Sequence, residues 1–313
     1  MFANPFKLAE IGILGMNERN INYISKYNPR ALYPLVDDKL QTKQLLTDAK
    51  INVPSLISTV HQQIQVNNLI DLLPKQGGFA IKPAHGSGGK GILVILSQSE
   101  GTYTKSNGEP LSLKQLEHHC SNILAGLYSL GGRYDVALIE NLIEFDPIFD
   151  GYSFEGVPDI RVIIFQGYPI MAMMRLSTKA SDGKANLHQG AVGVGVSIAT
   201  GEALNAVQFG KPIEFHPDTN KKLNELKIPD WQNLLTLAAQ CYDHSNLGYL
   251  GVDIVLDKNI GPLVLELNAR PGLSIQVAND QGLKPRLKLI EQQTELRDAA
   301  ARVAFSREFI EVK

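Results

Sequence analysis

Residues 248–272 read GYLGVDIVLDKNIGPLVLELNARPG, two runs of aliphatic and β-branched residues joined by a turn-forming stretch from Lys258 to Gly261. That pattern specifies an antiparallel hairpin. With Asp257 facing Pro262 across the turn, Asp253 stands opposite Glu266, and strand alternation puts Asn268 on the same face. The neighbours Val252, Ile254, Val264 and Leu265 read as buried, so two carboxylates meet in apolar surroundings, where they repel each other unless a cation lies between them. Hard oxygen donors without His or Cys suit Mg²⁺, which bridges a few carboxylates to phosphate oxygens. The plain alternative is a polar sheet face carrying two solvated acids. The apolar neighbours favour a metal face on Asp253, Glu266 and Asn268.

Further strand candidates are FAIK, ILVIL, VALIENLI, IRVIIFQ and PIMAMM, each bounded by Gly, Pro or Asn. Short joints such as Gln166-Gly167 link adjacent runs, which points to antiparallel meanders and an α+β class rather than a doubly wound parallel sheet. Three helices follow capping residues. One comes after Asp37-Asp38, one after Ser112 with its Ser112-x-x-Gln115 capping box, and one after Asp230. The charged stretch TELRDAAAR near the end reads as a solvated helix without chemistry of its own.

The chain has 313 residues, room for a large domain or two to three packed subdomains. Lys+Arg number 30 against 32 Asp+Glu, with no basic run beyond a pair, so neither nucleic acid nor an anionic membrane is an expected partner. Two distant cysteines, Cys120 and Cys241, form neither a disulfide framework nor a zinc motif. The N-terminus carries Lys7 and Glu10 within its apolar stretch and lacks a signal-peptide core, and the longest uncharged runs, 162–174 and 185–201, are too short or too glycine-rich to span a bilayer. A cytoplasmic protein is expected.

Residues 79–96, FAIKPAHGSGGKGILVIL, contain a formal G-x-G-x-x-G, but a strand follows it rather than a helix, and the Walker pattern fails at Gly91. What remains is a glycine-rich hairpin whose backbone N–H groups can fold over a polyphosphate, with Lys82 upstream as a point charge. Taken alone, the segment fits a flexible surface hairpin equally well.

The cradle, the lysine and the Asp/Glu/Asn face together resemble the ATP-grasp superfamily, and within it the alpha-L-glutamate ligase-like relatives of the ligases that modify ribosomal proteins. The resemblance runs from about Tyr27 to Ile290 through YNPRALYPLVDDKLQTKQLL, IKPAHGSGGKG, PDIRVII, KANLHQGA and ELNARPGLS. It implies an ATP-grasp fold, two α+β subdomains enclosing ATP, without a full N-terminal pre-ATP-grasp domain. The implied boundaries are an N-terminal extension over 1–36, the ATP-grasp domain over 37–290 and a helical tail over 291–313. Within 37–290, a lid-like subdomain covers about 50–140 and a nucleotide- and metal-binding one about 141–290.

The resemblance also implies roles. Lys39 and Lys82 reach the phosphates, with His85, Gly86, Ser87, Gly88 and Gly89 around them. Glu140 offers its carboxylate to the adenine amino group or to the hinge, and Asn141, Leu142 and Ile143 line the purine. Asp159 is the nucleotide-side acid, and Lys184 and Asn186 approach the phosphates and metal. Arg161, Arg175 and Arg270 stabilise charge on an acyl phosphate or clamp a substrate carboxylate. The implied cofactors are ATP and Mg²⁺, with Mn²⁺ as a substitute. The implied partners are a carboxylate substrate and an amine acceptor, whether amino acid, peptide or protein. The acidic, aromatic segment Glu144 to Pro158 either faces that amine or is a decorated surface loop.

The implied activity is an ATP-dependent carboxylate-amine ligase working through an acyl phosphate. An ATP-grasp phosphotransferase and an ATP-binding interaction module without turnover are the alternatives. A protein kinase is not supported, since no H-R-D or D-F-G segment accompanies the glycine loop.

Overall fold

Every strand pairing in the two sheets is antiparallel, as the paired runs and their short joints predict. The structure is a computed structural model that describes residues 5–86, 88–99, 101–129 and 131–311, and the chain divides into two compact units.

One unit comprises Asp37–Gln44 and Val53–Glu144. Its six strands are β1 (Leu56–Val60), β2 (Phe79–Pro83), β3 (Leu93–Ser99), β4 (Thr102–Lys105), β5 (Pro110–Ser112) and β6 (Ala137–Asn141), ordered β1-β6-β2-β3-β4-β5. The helix after Asp38 is α1 (Lys39–Asp48), of which residues 39–44 belong to this unit, and the one after Ser112 is α2 (Leu113–Leu124). The capping box forms, with Gln115 Oε1 accepting the Ser112 N–H at 2.8 Å. The apolar stripe of α2, Leu116, Cys120, Ile123 and Leu124, packs in one core with Phe79, Ile81, Ile95, Ala137 and Ile139. Each such aliphatic side chain contributes about 2 kcal/mol by leaving water.

The other unit comprises 1–36, Leu45–Asn52 and Phe145–Lys313. Its seven strands are β7 (Asp159–Phe165), β8 (Tyr168–Leu176), β9 (Val192–Val196), β10 (Ala203–Gln208), β11 (Lys211–Pro212), β12 (Tyr249–Asp257) and β13 (Gly261–Asn268), ordered β11-β10-β9-β8-β7-β12-β13. Its helices are α3 (Trp231–Ser245), α4 (Ile275–Asn279), α5 (Lys284–Glu291) and α6 (Ala299–Phe309). β9 lies in the glycine-rich run and escapes the sequence pattern because its glycines make room for α4. A Cβ at Gly195 would stand 2.5 Å from the Ala278 carbonyl oxygen.

Two terminal segments pack into this unit. Residues 11–36 are woven into the unit: the Leu14 N–H donates to Gln276 Oε1 at 2.8 Å, and Asn28 Nδ2 donates to the carbonyls of Tyr249 and Ala269 at 2.7 and 2.9 Å. Tyr23 and Tyr27 each meet the Phe165 ring edge-on. The TELRDAAAR stretch is not a solvated helix. Asp298 caps α6 through the Ala301 N–H at 2.8 Å, and α6 packs on α3 with Val303 buried and Arg302 paired to Asp243 at 2.6 Å. Burial of its apolar face is what the charge pattern concealed. Among the described residues, no helix is long and apolar enough to cross a membrane.

Candidate functional site

Four neighbouring strands carry a row of charged side chains. Arg175 on β8 faces Asp159 on β7, Arg161 on β7 faces Asp253 on β12, and Asp253 faces Glu266 on β13. The hairpin reaches that last pairing by a different route from the sequence register. Asp257 faces Gly261 rather than Pro262, and a bulge with Leu265 as its extra residue restores Asp253 opposite Glu266.

The row is an ion-pair network. Arg161 donates from Nε and Nη2 to the two Asp253 oxygens at 2.7 and 2.6 Å. Arg175 grips Asp159 at 2.5 and 2.6 Å and also reaches Asp253 Oδ2 from Nη2 at 2.7 Å. Both aspartates are buried. Burial raises the Asp159 carboxyl to about 6, against the opposing charge of Arg175. Burial pushes Asp253 upward too, but Arg161 and Arg175 outweigh it and hold that carboxyl at about 2. The Arg175 guanidinium stays charged because the two aspartates more than offset its burial.

Asn268 completes the face. In one amide orientation it donates to Asp253 Oδ2 at 3.4 Å; in the other it donates to Glu266 Oε1 at 3.3 Å and accepts from Arg161 Nη2 at 3.2 Å, matching each atom to its partner. Among the described residues no three His, Cys, Asp or Glu side chains cluster as a metal site. A metal here would rest on two carboxylates and one amide oxygen, completed by water and phosphate oxygens. That donor set fits Mg²⁺, which prefers few protein ligands, all of them oxygen. Glu266 is the carboxylate of the row that no arginine occupies.

Lys184 and Asn186 keep local partners on the loop after β8. Lys184 pairs with Asp182 at 2.9 Å, and Asn186 Oδ1 accepts the His188 N–H at 3.0 Å. Arg270 is exposed, its guanidinium 5.2 Å from the Tyr33 ring. In the 144–158 segment Phe149 and Tyr152 are buried, and two of the chain's own lysines cover rings there, Lys179 over Phe154 at 5.3 Å and Lys221 over Tyr152 at 5.0 Å.

In the smaller unit, Lys82 on β2 lies 2.7 Å from Glu140 Oε2 on β6, and Lys43 lies 2.9 Å from Oε1. The Glu140 carboxylate therefore lies between two buried ammonium groups, with Oε1 in ion-pair range of Lys43 but without a hydrogen-bond partner. Lys43 also donates to the Pro54 carbonyl. Its burial lowers its pKa, with Glu140 opposing. Sequence reasoning missed Lys43, although it lies one helical turn after Lys39 on α1. Asn141 ends β6, exposed, with its N–H on the Ser55 carbonyl at 3.0 Å, and the half-buried Leu142 and Ile143 follow.

The glycine-rich loop hangs between β2 and β3. Lys39 Nζ donates to the Gly86 carbonyl at 2.5 Å, and Gly88 and Gly89 adopt left-handed φ of 63° and 75° that only glycine takes without strain. Ser87 lies outside the described residues. At the root of the loop, Asp135 accepts the His85 N–H at 3.0 Å, the Val136 N–H at 2.8 Å and the Ser129 hydroxyl, and its Oδ1 lies 2.8 Å from His85 Nδ1. Asp38 Oδ2 stands 3.6 Å from the other ring nitrogen. Nothing local in the sequence marks the Asp135–His85 contact, because the two lie fifty residues apart.

Residues 18–292 match the family of sugar-transfer associated ATP-grasp proteins. A probable alpha-L-glutamate ligase of Maridesulfovibrio salexigens is 26% identical over 238 residues, covering 75% of this chain and 56% of the relative. Another, from Ectopseudomonas mendocina, is 24% identical over 260 residues, covering 80% and 64%. The chain thus spans less than two thirds of the length of these curated relatives. The crystal structure of an L-amino acid ligase from Bacillus licheniformis is similar at 13% identity and a TM-score of 0.46, covering 90% of this chain and 52% of that one. The family match covers most of both units, and the chain belongs to the sugar-transfer associated ATP-grasp family.

Proposed function

We propose that the protein is an ATP-dependent carboxylate-amine ligase that joins an amino acid to a small amine, peptide or protein. The observation that carries this reading is the row Arg175, Asp159, Arg161, Asp253 and Glu266, an oxygen-rich face bordered by guanidinium forks. Within the smaller unit, the pair of lysines flanking Glu140 also supports it.

A substrate carboxylate attacks the γ-phosphate of ATP, giving an acyl phosphate and ADP, and an amine then displaces phosphate to leave an amide. Negative charge accumulates on phosphate oxygens in the first step and on the tetrahedral carbon's oxygen in the second. Lys39 and Lys82 neutralise the former, with the backbone of His85, Gly86, Gly88 and Gly89 as cradle, and the chain near Asn141 and Leu142 lines the purine. Asp253, Glu266 and Asn268 would hold Mg²⁺, or Mn²⁺ in its place, which supplies charge neutralisation to the phosphates. Arg161 and Arg175 keep Asp253 ionised and aimed, and the exposed Arg270 would orient the reacting carboxylate. Lys184 and Asn186 would reach the nucleotide once their loop releases its local bonds. No covalent enzyme nucleophile is needed.

The test is ADP and phosphate release across a panel of carboxylates and amines, with mass spectrometry of products. The expected result is amide, ADP and free phosphate only when both substrates are present, with slow phosphate release from the carboxylate alone. Arg270→Lys should lower coupling more than ATP binding, because the charge stays and the fork is lost. Phosphate retained on a hydroxyl product would identify a phosphotransferase, and ATP binding without any turnover would identify an interaction module.

A further inference from the structure

Arg19 is nine-tenths buried, and no carboxylate answers it among the described residues. Its Nη1 donates to the Pro271 carbonyl at 2.7 Å, while Nε and Nη2 both donate to Asn20 Oδ1 at 3.1 and 2.8 Å. Two of its five N–H groups are left over. Buried cations are ordinarily paired, and elsewhere in this unit they are. Arg161 sits on Asp253, Arg175 on Asp159 and Arg302 on Asp243. Arg286 also bonds a carbonyl and an amide, but it has Glu311 within electrostatic reach. Around Arg19 the neighbouring ionic charge is a second cation, Arg270, and Glu18 next in sequence is paired to Lys284 at 2.7 Å.

A second observation falls at the same place. The Tyr249 hydroxyl is buried with no hydrogen-bond partner, and it lies within electrostatic reach of Arg19. A buried hydroxyl without a partner costs folding free energy, as does a buried guanidinium without a counter-charge. One anion relieves both. Alternation along β12 puts Tyr249 on the face of Asp253, with Gly251 between them. A Cβ at Gly251 would stand 2.7 Å from Pro271, so the Asn268 to Pro271 turn that Arg19 holds lies against this face. Arg270 is exposed, which gives the place a side open to solvent.

We infer that Arg19, Arg270 and the Tyr249 hydroxyl form a carboxylate subsite beside the Asp253 face. A guanidinium fork and a hydroxyl offer three donors to two planar oxygens, the geometry in which arginine recognises carboxylates. The subsite seats the carboxylate of an amino-acid substrate, an assignment that rests on the ligase reading.

Calorimetric titration without ATP tests it, using L-glutamate, L-glutamate dimethyl ester and inorganic phosphate as probes. L-glutamate should bind, and the ester and phosphate at least about tenfold more weakly. Tyr249→Phe should weaken glutamate about three- to tenfold while the melting temperature stays level or rises, because a hydroxyl without a protein partner is removed. A purely structural tyrosine would not separate the two readouts. Arg19→Lys should weaken glutamate at least about tenfold. The subsite is overturned if wild-type protein shows no saturable glutamate binding, if the ester or phosphate binds as tightly, or if Tyr249→Phe leaves glutamate affinity unchanged. Amide formation from ATP that proceeds normally while glutamate affinity ignores both variants removes the subsite and keeps the ligase. Glutamate binding that responds to Tyr249→Phe in a protein that never consumes ATP removes the ligase and keeps the subsite as a carboxylate-binding site.

Discussion

Arg161 and Asp253 are joined across β7 and β12 through both carboxylate oxygens, at 2.7 and 2.6 Å. The bond makes Asp253 structural as well as chemical, since the same carboxylate also anchors Arg175. Glu266, directly opposite on β13, meets no arginine itself and touches this network only through Asn268. Stability and activity are therefore separable between two acids that face each other.

Glu266→Ala should change unfolding free energy by no more than about 0.5 kcal/mol, as for a substitution that breaks no buried pair. ATP turnover should fall at least about a hundredfold, near 2.7 kcal/mol of lost transition-state stabilisation. Asp253→Ala leaves two largely covered guanidinium groups, of which only Arg175 keeps a carboxylate, so it should cost about 3 kcal/mol of stability as well as activity. Urea denaturation of both variants beside an ADP-release assay checks the separation. Undiminished ATP consumption by Glu266→Ala would remove the metal assignment.

Lys82 and Glu140 form the corresponding pair in the smaller unit. Lys82→Ala leaves Glu140 neutralised by Lys43, so the fold should hold while ATP affinity drops at least about tenfold, or 1.4 kcal/mol. Adenosine, which lacks phosphates, should lose less. Glu140→Ala instead strands two buried ammonium groups and should destabilise the protein by about 3 kcal/mol. Equal ATP affinity in Lys82→Ala and wild type, with normal turnover, would contradict the phosphate role.

How much of this was legible depends on the sequence separation of the partners. The seven predicted strand runs all appear, because alternation and turn residues are local signals. The Asp253–Glu266 pairing was also legible, although the predicted turn was one residue off and the bulge at Leu265 made up the difference. β9 was hidden because its glycines serve close packing of α4 rather than strand propensity. Lys43 and Asp135 were hidden for a different reason. Their partners lie across a sheet or a loop, and no spacing rule reports a contact between residues 43 and 140 or 85 and 135.

Asp135 shows what that missing information does for the loop. One buried carboxylate gathers His85, Ser129 and the Val136 N–H, and so fixes where the glycines begin. Asp135→Asn keeps the shape but turns half of an acceptor-only group into a donor facing N–H and O–H groups. A stability loss of about 2 kcal/mol is expected, together with weaker binding of ATP than of adenosine. Equal losses for the two ligands would show that the carboxylate supports the unit without organising the cradle.

The pH dependence of stability should carry the mark of His216. The ring is 1% exposed, its Nδ1 accepts the Asp218 N–H at 3.3 Å, and its Nε2 therefore donates to the Ser177 carbonyl at 3.1 Å. Both nitrogens are thus used in the neutral form. Burial lowers its pKa, with the Ser177 carbonyl and Asp218 opposing only in part. The unfolded chain titrates near 6.5, so between that value and the lower native one the unfolded state holds more protons. Its contribution is full above about 6.5 and is lost as pH falls through the native pKa. His119, half-buried with its Nε2 on the Gly91 carbonyl, shifts in the same direction for the same reason. His216→Gln should therefore lower stability at neutral pH while reducing, without abolishing, the decline between pH 7.5 and 5 followed by urea denaturation. A variant whose stability falls with acid as steeply as wild type would show that His216 is not held neutral in the folded protein.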